Sequence, residues 1–421
     1  MIAPLLAVLL ATAPSSPPPL SAMAGNAGVL SVFSDLSLAQ AERDALPISP
    51  DVAAAAAAVA RSSAALAAAR AAFGPALVGG YLLAPQGGPN GSQIAQRLTS
   101  VGLQTTVGDL VAYSPLVAAA DAELRAAQAK ALAADANERV KVAGLYFGAL
   151  KARAIRGARD QALALAQRER AAAQVRVHAG DAPQLDVVRA EVAVARATAD
   201  DQLAAAADDN ALDALKTETG ESGPLLALES APASLAPVPT PQEAVALADR
   251  LRPEIAAARA TTASARASAV AAERRLLPAV TFGAGYETGI DSGVHVSAPT
   301  LNVNLAFPLG GAARARADEA KATVAEDRAL EAGIVRQIEL AVAAAARNLA
   351  AAVRASAASE DARVQAEREL AATSLGYRSG ALSSLDLEIA RVTETQAVVN
   401  ALSARYDEAA ARATLEIELG A

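Results

Sequence analysis

The chain contains no cysteine and no tryptophan, and aromatic residues make up only 3% of its 421 residues. The absence of cysteine excludes disulfides, thiolate metal sites, a cysteine nucleophile and a lipid anchor on an N-terminal cysteine. Alanine instead supplies more than a quarter of the sequence. Because alanine favours helix and lets helix backbones approach closely, this composition predicts long, tightly packed helices rather than a thick globular core.

Histidine and net positive charge are also lacking. The chain has two histidines, His178 and His295, and its formal net charge is -8. This charge is not typical of a nucleic-acid-binding protein, which normally carries a basic face. The sequence contains no Gly-rich phosphate loop, serine nucleophile elbow or His–Glu metal motif, so we predict no enzyme activity, no cofactor and no metal site.

Residues 1–24 resemble an export signal. The apolar run from Ile2 to Ala13 is too short to span a bilayer, and Ala22-Met23-Ala24 fits the small-x-small cleavage pattern. Downstream, no stretch approaches 18 uncharged apolar residues, so no transmembrane helix is predicted. We therefore expect an exported protein that is periplasmic, secreted or part of an outer-membrane barrel.

The remainder of the chain repeats one plan. Pro50-Asp51-Val52 recurs as Pro253-Glu254-Ile255, and Gly180 recurs as Gly380. Matched landmarks in the same order predict two structural repeats. The predicted boundaries are a first repeat at 25–219, a linker rich in Pro, Gly and Ser at 220–240, and a second repeat at 241–421.

Two windows, 76–114 and 279–307, carry almost no charge and are rich in Gly, Thr and Asn. In the second window apolar and small or polar residues alternate, which predicts two strands of about ten residues around a loop from Thr288 to Pro299. The first window predicts a similar pair of strands. They flank a loop from Pro85 to Ser92, and the second strand reaches Tyr113. Soluble hairpins are the alternative, but their wet faces would normally carry more Lys and Glu.

Aromatic residues concentrate in or beside these windows, and a transmembrane barrel has aromatic girdles at its two interfaces. Ordinary packing within the strands is the competing interpretation. The candidate girdle residues are Tyr81, Tyr113, Phe282, Tyr286 and Phe307.

Long helices are predicted after each window. A helical run of about 60 residues would be about 90 Å long. Each run is interrupted once, near 177–183 and 376–384, which predicts the turn of a helical hairpin. Gly180 and Gly380 are expected to supply a positive φ in these turns.

Four strands per chain cannot close a transmembrane barrel, so several copies must contribute. The repeated order of helix, β-hairpin and long helical hairpin resembles the TolC-like outer membrane efflux proteins. The motifs that carry the resemblance are Leu276–Val280, Leu305–Leu309, Tyr377–Gly380 followed by Leu385-Asp386, and the closing segment Leu415–Gly420.

The resemblance implies a mainly α fold with membrane β-hairpins. It further implies a homotrimer whose twelve strands form one β-barrel in the outer membrane, continuous with an α-helical periplasmic barrel. Such a channel is a passive export duct, in contact with outer membrane lipid. It is coupled through a periplasmic membrane fusion protein to an inner-membrane transporter of the RND type. Relatives of this length include channels of heavy-metal cation pumps, so metal resistance is one expected role.

The family also suggests site residues near the hairpin tips. Asp386, Asp186 and Glu388 are candidates for an acidic, cation-attracting ring at the pore entrance. Alternatively, Asp386 and Asp186 cap the helices that follow the turns. Candidates for the adaptor-docking rim are Gly180, Gly380, Tyr377 and Arg378.

Two of these residues have further interpretations. Tyr377 and Arg378 either contact the adaptor or lock neighbouring helices together. A second class of function, a periplasmic helical scaffold or adaptor without a pore, predicts lipoyl-like β segments flanking a single helical hairpin.

Overall fold

The computed structural model describes residues 36–71, 75–87, 93–221, 238–291, 294–307 and 311–419. The predicted signal segment 1–24 and most of the predicted linker 220–240 lie outside these residues. The described helices are α1 Leu38–Ala45, α2 Pro50–Ala71, α3 Val107–Ala179, α4 Gln184–Thr219, α5 Pro241–Leu251, α6 Pro253–Arg274, α7 Gly311–Arg378 and α8 Ser384–Glu418. The strands are β1 Ala76–Gly87, β2 Gln93–Thr106, β3 Ala279–Asp291 and β4 Val294–Ala306.

The order of the elements confirms the two repeats. A helix, a β-hairpin and a long helical hairpin follow one another as α2, β1, β2, α3 and α4, and again as α6, β3, β4, α7 and α8. The longest helix, α3, has 73 residues and is therefore about 110 Å long. Pro115 lies near its start without ending it.

Two short helices, α1 and α5, were not identified in the sequence, although both carry a capping box. Ser37 and Gln40 form the box of α1, and Thr240 and Glu243 form that of α5. Each short helix packs across the long helices of its own repeat. The clusters include Ala41, Ala45, Val142, Tyr146 and Leu215 in the first repeat, and Ala244, Ala248, Val342, Leu349 and Leu415 in the second.

The four strands form one antiparallel sheet in the order β1-β2-β3-β4. The predicted strand through Tyr113 was wrong at its end, because β2 stops at Thr106 and Val107, Val111 and Tyr113 lie in α3. The Tyr113 hydroxyl donates a hydrogen bond to the Arg70 carbonyl at 3.0 Å, which ties α3 to the end of α2.

The predicted loop from Thr288 to Pro299 is largely strand, which is a second correction. Thr288 pairs with Ser297, and Tyr286 pairs with Pro299. Pro299 is tolerated because β4 is an edge strand of this sheet, where a missing N–H need not break a ladder. His295, expected in the loop, lies in β4 opposite Ile290.

The pairing register gives the sheet one apolar face and one polar face, because directly opposed residues in an antiparallel sheet project to the same side. The apolar face includes Leu77, Tyr81, Val101, Leu103, Phe282, Tyr286, Leu301, Val303 and Leu305, all exposed in the single chain. The polar face includes Ser100, Gln104, Thr281, Glu287, Thr300, Asn302 and Asn304, and it also carries the apolar side chains of Val78, Leu82 and Leu98. This arrangement fits strands with lipid on one side and water on the other.

By length and composition alone, α2 is apolar enough to cross a membrane, and it is the one such helix among the described residues. This finding does not contradict the prediction of no transmembrane helix, because Asp51, Arg61 and Arg70 interrupt α2 and its apolar character comes mainly from alanine. Its repeat counterpart α6 carries Glu254, Arg259 and Arg266 at the equivalent place before the strands. Both helices pack against α3. We therefore assign α2 to the packed helices rather than to a membrane span.

Candidate functional site at the helical hairpin tips

The two tip turns have the same backbone form. Gly180 has a φ of 84° and Gly380 a φ of 76°, which confirms the predicted left-handed conformation. The Asp181 N–H donates to the Arg176 carbonyl at 2.9 Å, and the Ala381 N–H donates to the Gly376 carbonyl at 2.9 Å. These bonds satisfy carbonyls at the helix ends, as in a Schellman turn. Glycine is favoured here because a left-handed conformation strains residues with a Cβ atom.

Asp386 caps α8, as one of the two interpretations predicted. Its Oδ2 accepts hydrogen bonds from the Ser383 N–H at 2.9 Å and the Ser383 hydroxyl at 2.7 Å. In return the Asp386 N–H donates to the Ser383 Oγ at 3.2 Å, completing a capping box. The hydrogen bonds from the Ser383 side chain and backbone hold the pKa of the Asp386 carboxyl below its usual value. The carboxylate is exposed and ionised at neutral pH.

Asp186, the repeat counterpart of Asp386, lies in the first turn of α4, where its charge favours the helix N-terminus as the capping interpretation predicted, but it forms no capping box like that of Asp386. The N-cap of α4 is Pro183, which makes no side-chain cap hydrogen bond. Asp186 Oδ1 instead accepts a hydrogen bond from the Ser384 hydroxyl at 2.8 Å, while Arg189 Nη1 donates to the Ser384 Oγ at 2.9 Å. Because Pro183 replaces the serine found at 383, the Asp186 carboxylate is available to join the two helical hairpins.

Tyr377 also joins the hairpins, as the locking interpretation predicted. Arg176 Nη1 donates to the Tyr377 hydroxyl oxygen at 2.6 Å. The same guanidinium lies 5.2 Å from the centroid of the Tyr377 ring, within the range of a cation–π interaction. Both side chains are half-buried. The last turn of α3 is therefore attached to the last turn of α7.

Two ion pairs continue this contact along α3 and α8. Arg391 forms a salt bridge with Glu169, and Lys151 Nζ lies 2.9 Å from Asp407 Oδ1. Burial raises the pKa of the Glu169 carboxyl, although the neighbouring Arg391 partly opposes this shift. None of these four residues was identified in the sequence. Their only signal is charge, and the partners belong to different repeats.

A cleft of about 290 Å³ lies between the tips. Glu388 and Arg378 line it, together with Arg176, Arg189 and Arg391. Asp386 lies outside the lining of this cleft. The structure thus brings Asp186, Glu388, Tyr377 and Arg378 together, while Asp386 and the two turn glycines lie at the exposed end.

Of the predicted girdle residues, Tyr81, Phe282 and Tyr286 share the apolar face of the sheet. Phe307 follows the last residue of β4 and is exposed. Tyr113 lies in α3, outside the sheet. At the first tip, the His178 Nδ1 contacts its own helix at the Gln174 carbonyl, at 2.8 Å. Among the described residues, no group of three or more His, Asp or Glu side chains is arranged to hold a metal ion.

An antiparallel sheet with one apolar face, carried on paired helical hairpins, is the arrangement expected of a protein that places strands in an outer membrane and helices outside it. The family model described as "Outer membrane efflux protein" matches residues 42–221 and 245–421. The chain belongs to this family, and it is an outer membrane efflux channel with a periplasmic helical domain. The scaffold alternative required a single helical hairpin, whereas the described residues form two.

Solved structures with the same fold cover nearly the whole chain. The outer-membrane channel OprN is 20% identical with a TM-score of 0.79, covering 91% of this chain and 89% of its own. CusC is 18% identical with a TM-score of 0.78 and coverage of 97% and 99%. The outer membrane protein VceC from Vibrio cholerae is 20% identical with a TM-score of 0.77 and coverage of 91% and 96%. No curated protein sequence matches the chain.

Proposed function

We propose that three copies of the chain form one twelve-stranded barrel, continuous with a helical barrel, that serves as a passive duct for export. The four-stranded sheet is the observation that calls for more than one copy, and the family resemblance supplies the number three. In the described sheet β1 and β4 each have a partner on one side, so each has an open edge. Open edges are not tolerated in lipid, and the smallest bacterial outer membrane barrels have eight strands.

Native mass spectrometry of protein extracted by detergent from an isolated outer membrane fraction tests this assembly. The expected result is a trimer that is released only by detergent. A monomer or dimer recovered from the soluble periplasm would overturn the proposal, because the apolar face would then have no lipid to contact.

We propose that the tips form the periplasmic entrance and that the contacts between hairpins keep it closed. Asp386 suits a ring of three carboxylates because its low pKa keeps it ionised while it caps α8. Replacing Asp386 by Asn should weaken block by multivalent cations in planar bilayers. If block is unchanged, capping is the only role of this carboxylate.

We further propose that the exposed turns contact a periplasmic membrane fusion protein, which couples the duct to an inner-membrane transporter of the RND type. Arg378 is an exposed member of this rim. Arg378→Glu should reduce crosslinking to the adaptor in cells while trimer yield stays normal. Arg368→Glu is the matched control, since Arg368 is exposed on the same helix farther from the tip. Equal loss of crosslinking in both variants would argue against a docking role for the rim.

The heavy-metal branch stays a prediction. The net charge of -8 agrees with passage of cations. A strain that lacks the chain should become sensitive to metal cations if the prediction is correct. Sensitivity to organic compounds alone would contradict it.

A further inference from the structure

Two basic residues lie at one end of the apolar face of the sheet. Arg97 pairs with Ile290 across β2 and β3, and Ile290 pairs with His295 across β3 and β4. Arg97 and His295 therefore project to the same side at the same level, two strand spacings or about 10 Å apart. Both side chains are exposed. They form a basic row, defined by these two residues, on an otherwise uncharged face.

The level of the basic row matches the edge of the membrane. Ile290, in the row, lies eleven residue steps after Ala279, the first residue of β3. At about 3.4 Å per residue this is about 37 Å along the strand, and a tilt of about 40° reduces it to about 28 Å along the barrel axis. The apolar band of an outer membrane barrel is about 25 Å tall. Because the helices are periplasmic, the basic row lies at the outer leaflet.

Charges of opposite sign are separated between the two faces of the sheet. Among the described strand residues, the acidic side chains Glu287 and Asp291 belong to the polar face by register. The short connections 88–92 and 292–293 contain no charged residue. On the apolar face, therefore, no carboxylate from the strands or from these connections competes for the two basic side chains. An anion approaching from the lipid side meets the positive charge of Arg97, and that of His295 when its ring is protonated.

The local geometry prepares both side chains for an anion. His295 Nδ1 lies 2.6 Å from the Gly289 carbonyl, which can only accept, so Nδ1 donates this bond, and Nε2 can donate to a phosphate oxygen when the ring carries a second proton. Arg97 supplies a planar guanidinium that matches phosphate oxygens in a bidentate geometry. An arginine on the lipid face is tolerated near an interface, where its head reaches polar groups, but not at the middle of the bilayer.

We propose that Arg97 and His295 bind a phosphate group of lipid A, the phosphorylated glycolipid of the outer leaflet. The level of the row selects the outer leaflet, and the guanidinium–imidazole pair selects a phosphate. In a closed barrel three such sites surround the channel and fix its height in the membrane. The inference rests on the proposed trimer, because barrel closure is what turns the apolar face outward.

Native mass spectrometry of the detergent-solubilised full chain, titrated with bisphosphorylated lipid A, tests the site. Arg97→Gln and His295→Gln together should weaken lipid A binding about tenfold, the size expected for losing one charge-assisted site. Arg97→Lys should retain part of the affinity because it keeps the charge but loses the bidentate geometry. Arg259→Gln, which removes an exposed arginine from α6 far from the sheet, should bind like the unaltered protein.

Two further lipids identify the chemistry. Removing the phosphates from lipid A should weaken its binding to the unaltered protein. The remaining affinity should equal that of the double variant for bisphosphorylated lipid A. Phosphatidylglycerol should bind more weakly than bisphosphorylated lipid A, and equal binding would overturn the choice of lipid A. A trimer that binds lipid A equally well in the double variant would overturn the site. A chain that stays monomeric would instead overturn the proposed assembly on which the site rests.

Discussion

The hydroxyl of Tyr377 offers the sharpest test of the contact that holds the two hairpin tips together. Tyr377→Phe removes only the oxygen that accepts a hydrogen bond from Arg176 at 2.6 Å and leaves the ring in place for the cation–π interaction. Hydrogen bonds to charged groups contribute roughly 1.5–3 kcal/mol, and we expect about 1 kcal/mol here because both side chains are half-exposed and water replaces part of the bond. Tyr377→Ala also removes the cation–π interaction, which adds about 0.5–1 kcal/mol.

A loss of about 1 kcal/mol per chain shifts the opening equilibrium about fivefold if each tip opens independently. If three chains open together, the loss is about 3 kcal/mol and the shift is about 150-fold. Hydrogen exchange of the tip segments reports the local opening, and single-channel recording reports the open probability of the assembled duct. The two measurements together therefore distinguish independent from concerted opening.

The matched control is Tyr113→Phe. Its hydroxyl donates a similar hydrogen bond to the Arg70 carbonyl at 3.0 Å, but it lies near the sheet, at the opposite end of α3. We expect Tyr113→Phe to leave exchange at the tips and open probability unchanged. If Tyr377→Phe behaves like Tyr113→Phe in both assays, the Arg176–Tyr377 contact does not keep the tips closed.

Three further tests address the turns, the cap and a buried carboxylate. Gly380→Ala should lower stability by about 1–2 kcal/mol, because no atom lies within 4 Å of the added Cβ and the cost is the left-handed φ alone. Gly144 also has no atom within 4 Å of an added Cβ, but it lies in a right-handed helix, so Gly144→Ala should raise stability by up to about 1 kcal/mol. Thermal melting compares this variant with Gly380→Ala. Ser383→Ala should lower stability by about 1 kcal/mol because the cap is lost, and Ser383→Thr should restore that stability. Equal melting temperatures for the unaltered protein and these two variants would contradict the capping role. Ser49→Ala removes the hydroxyl that donates to buried Glu138 at 2.7 Å, and should cost about 1–3 kcal/mol while that carboxylate is ionised. Because burial raises the pKa of Glu138, the carboxyl becomes protonated as the pH falls, and the stability cost of Ser49→Ala should then shrink. If the melting temperatures of the variant and the unaltered protein differ equally at acidic and alkaline pH, this assignment is contradicted.

Tip and strand features that depend on local chemistry were predictable. Glycine at 180 and 380 predicts a positive φ because a Cβ atom disfavours that conformation wherever the residue lies in the fold. The alternation around Phe282 predicts two faces of a strand because successive side chains always point to opposite sides. The end of β2 was misplaced because Val111 and Tyr113 are β-favouring residues that continue the pattern into α3, where tertiary packing overrides propensity.

The two aspartates at the tips separate what sequence and tertiary structure each decide. Asp386 is a cap because its partner Ser383 is three residues away, and a pattern of this length is legible in sequence. Asp186 has the same repeat position, yet its partner Ser384 is 198 residues away, and Arg176 is 201 residues from Tyr377. The sequence by itself determined the repeats, the turns, the two-faced strands and the family. Only the tertiary structure decided which side chains join the hairpins, and that Arg97 and His295 lie at the same level of the sheet. Helix rotation and strand register set these distances, and no local pattern encodes them.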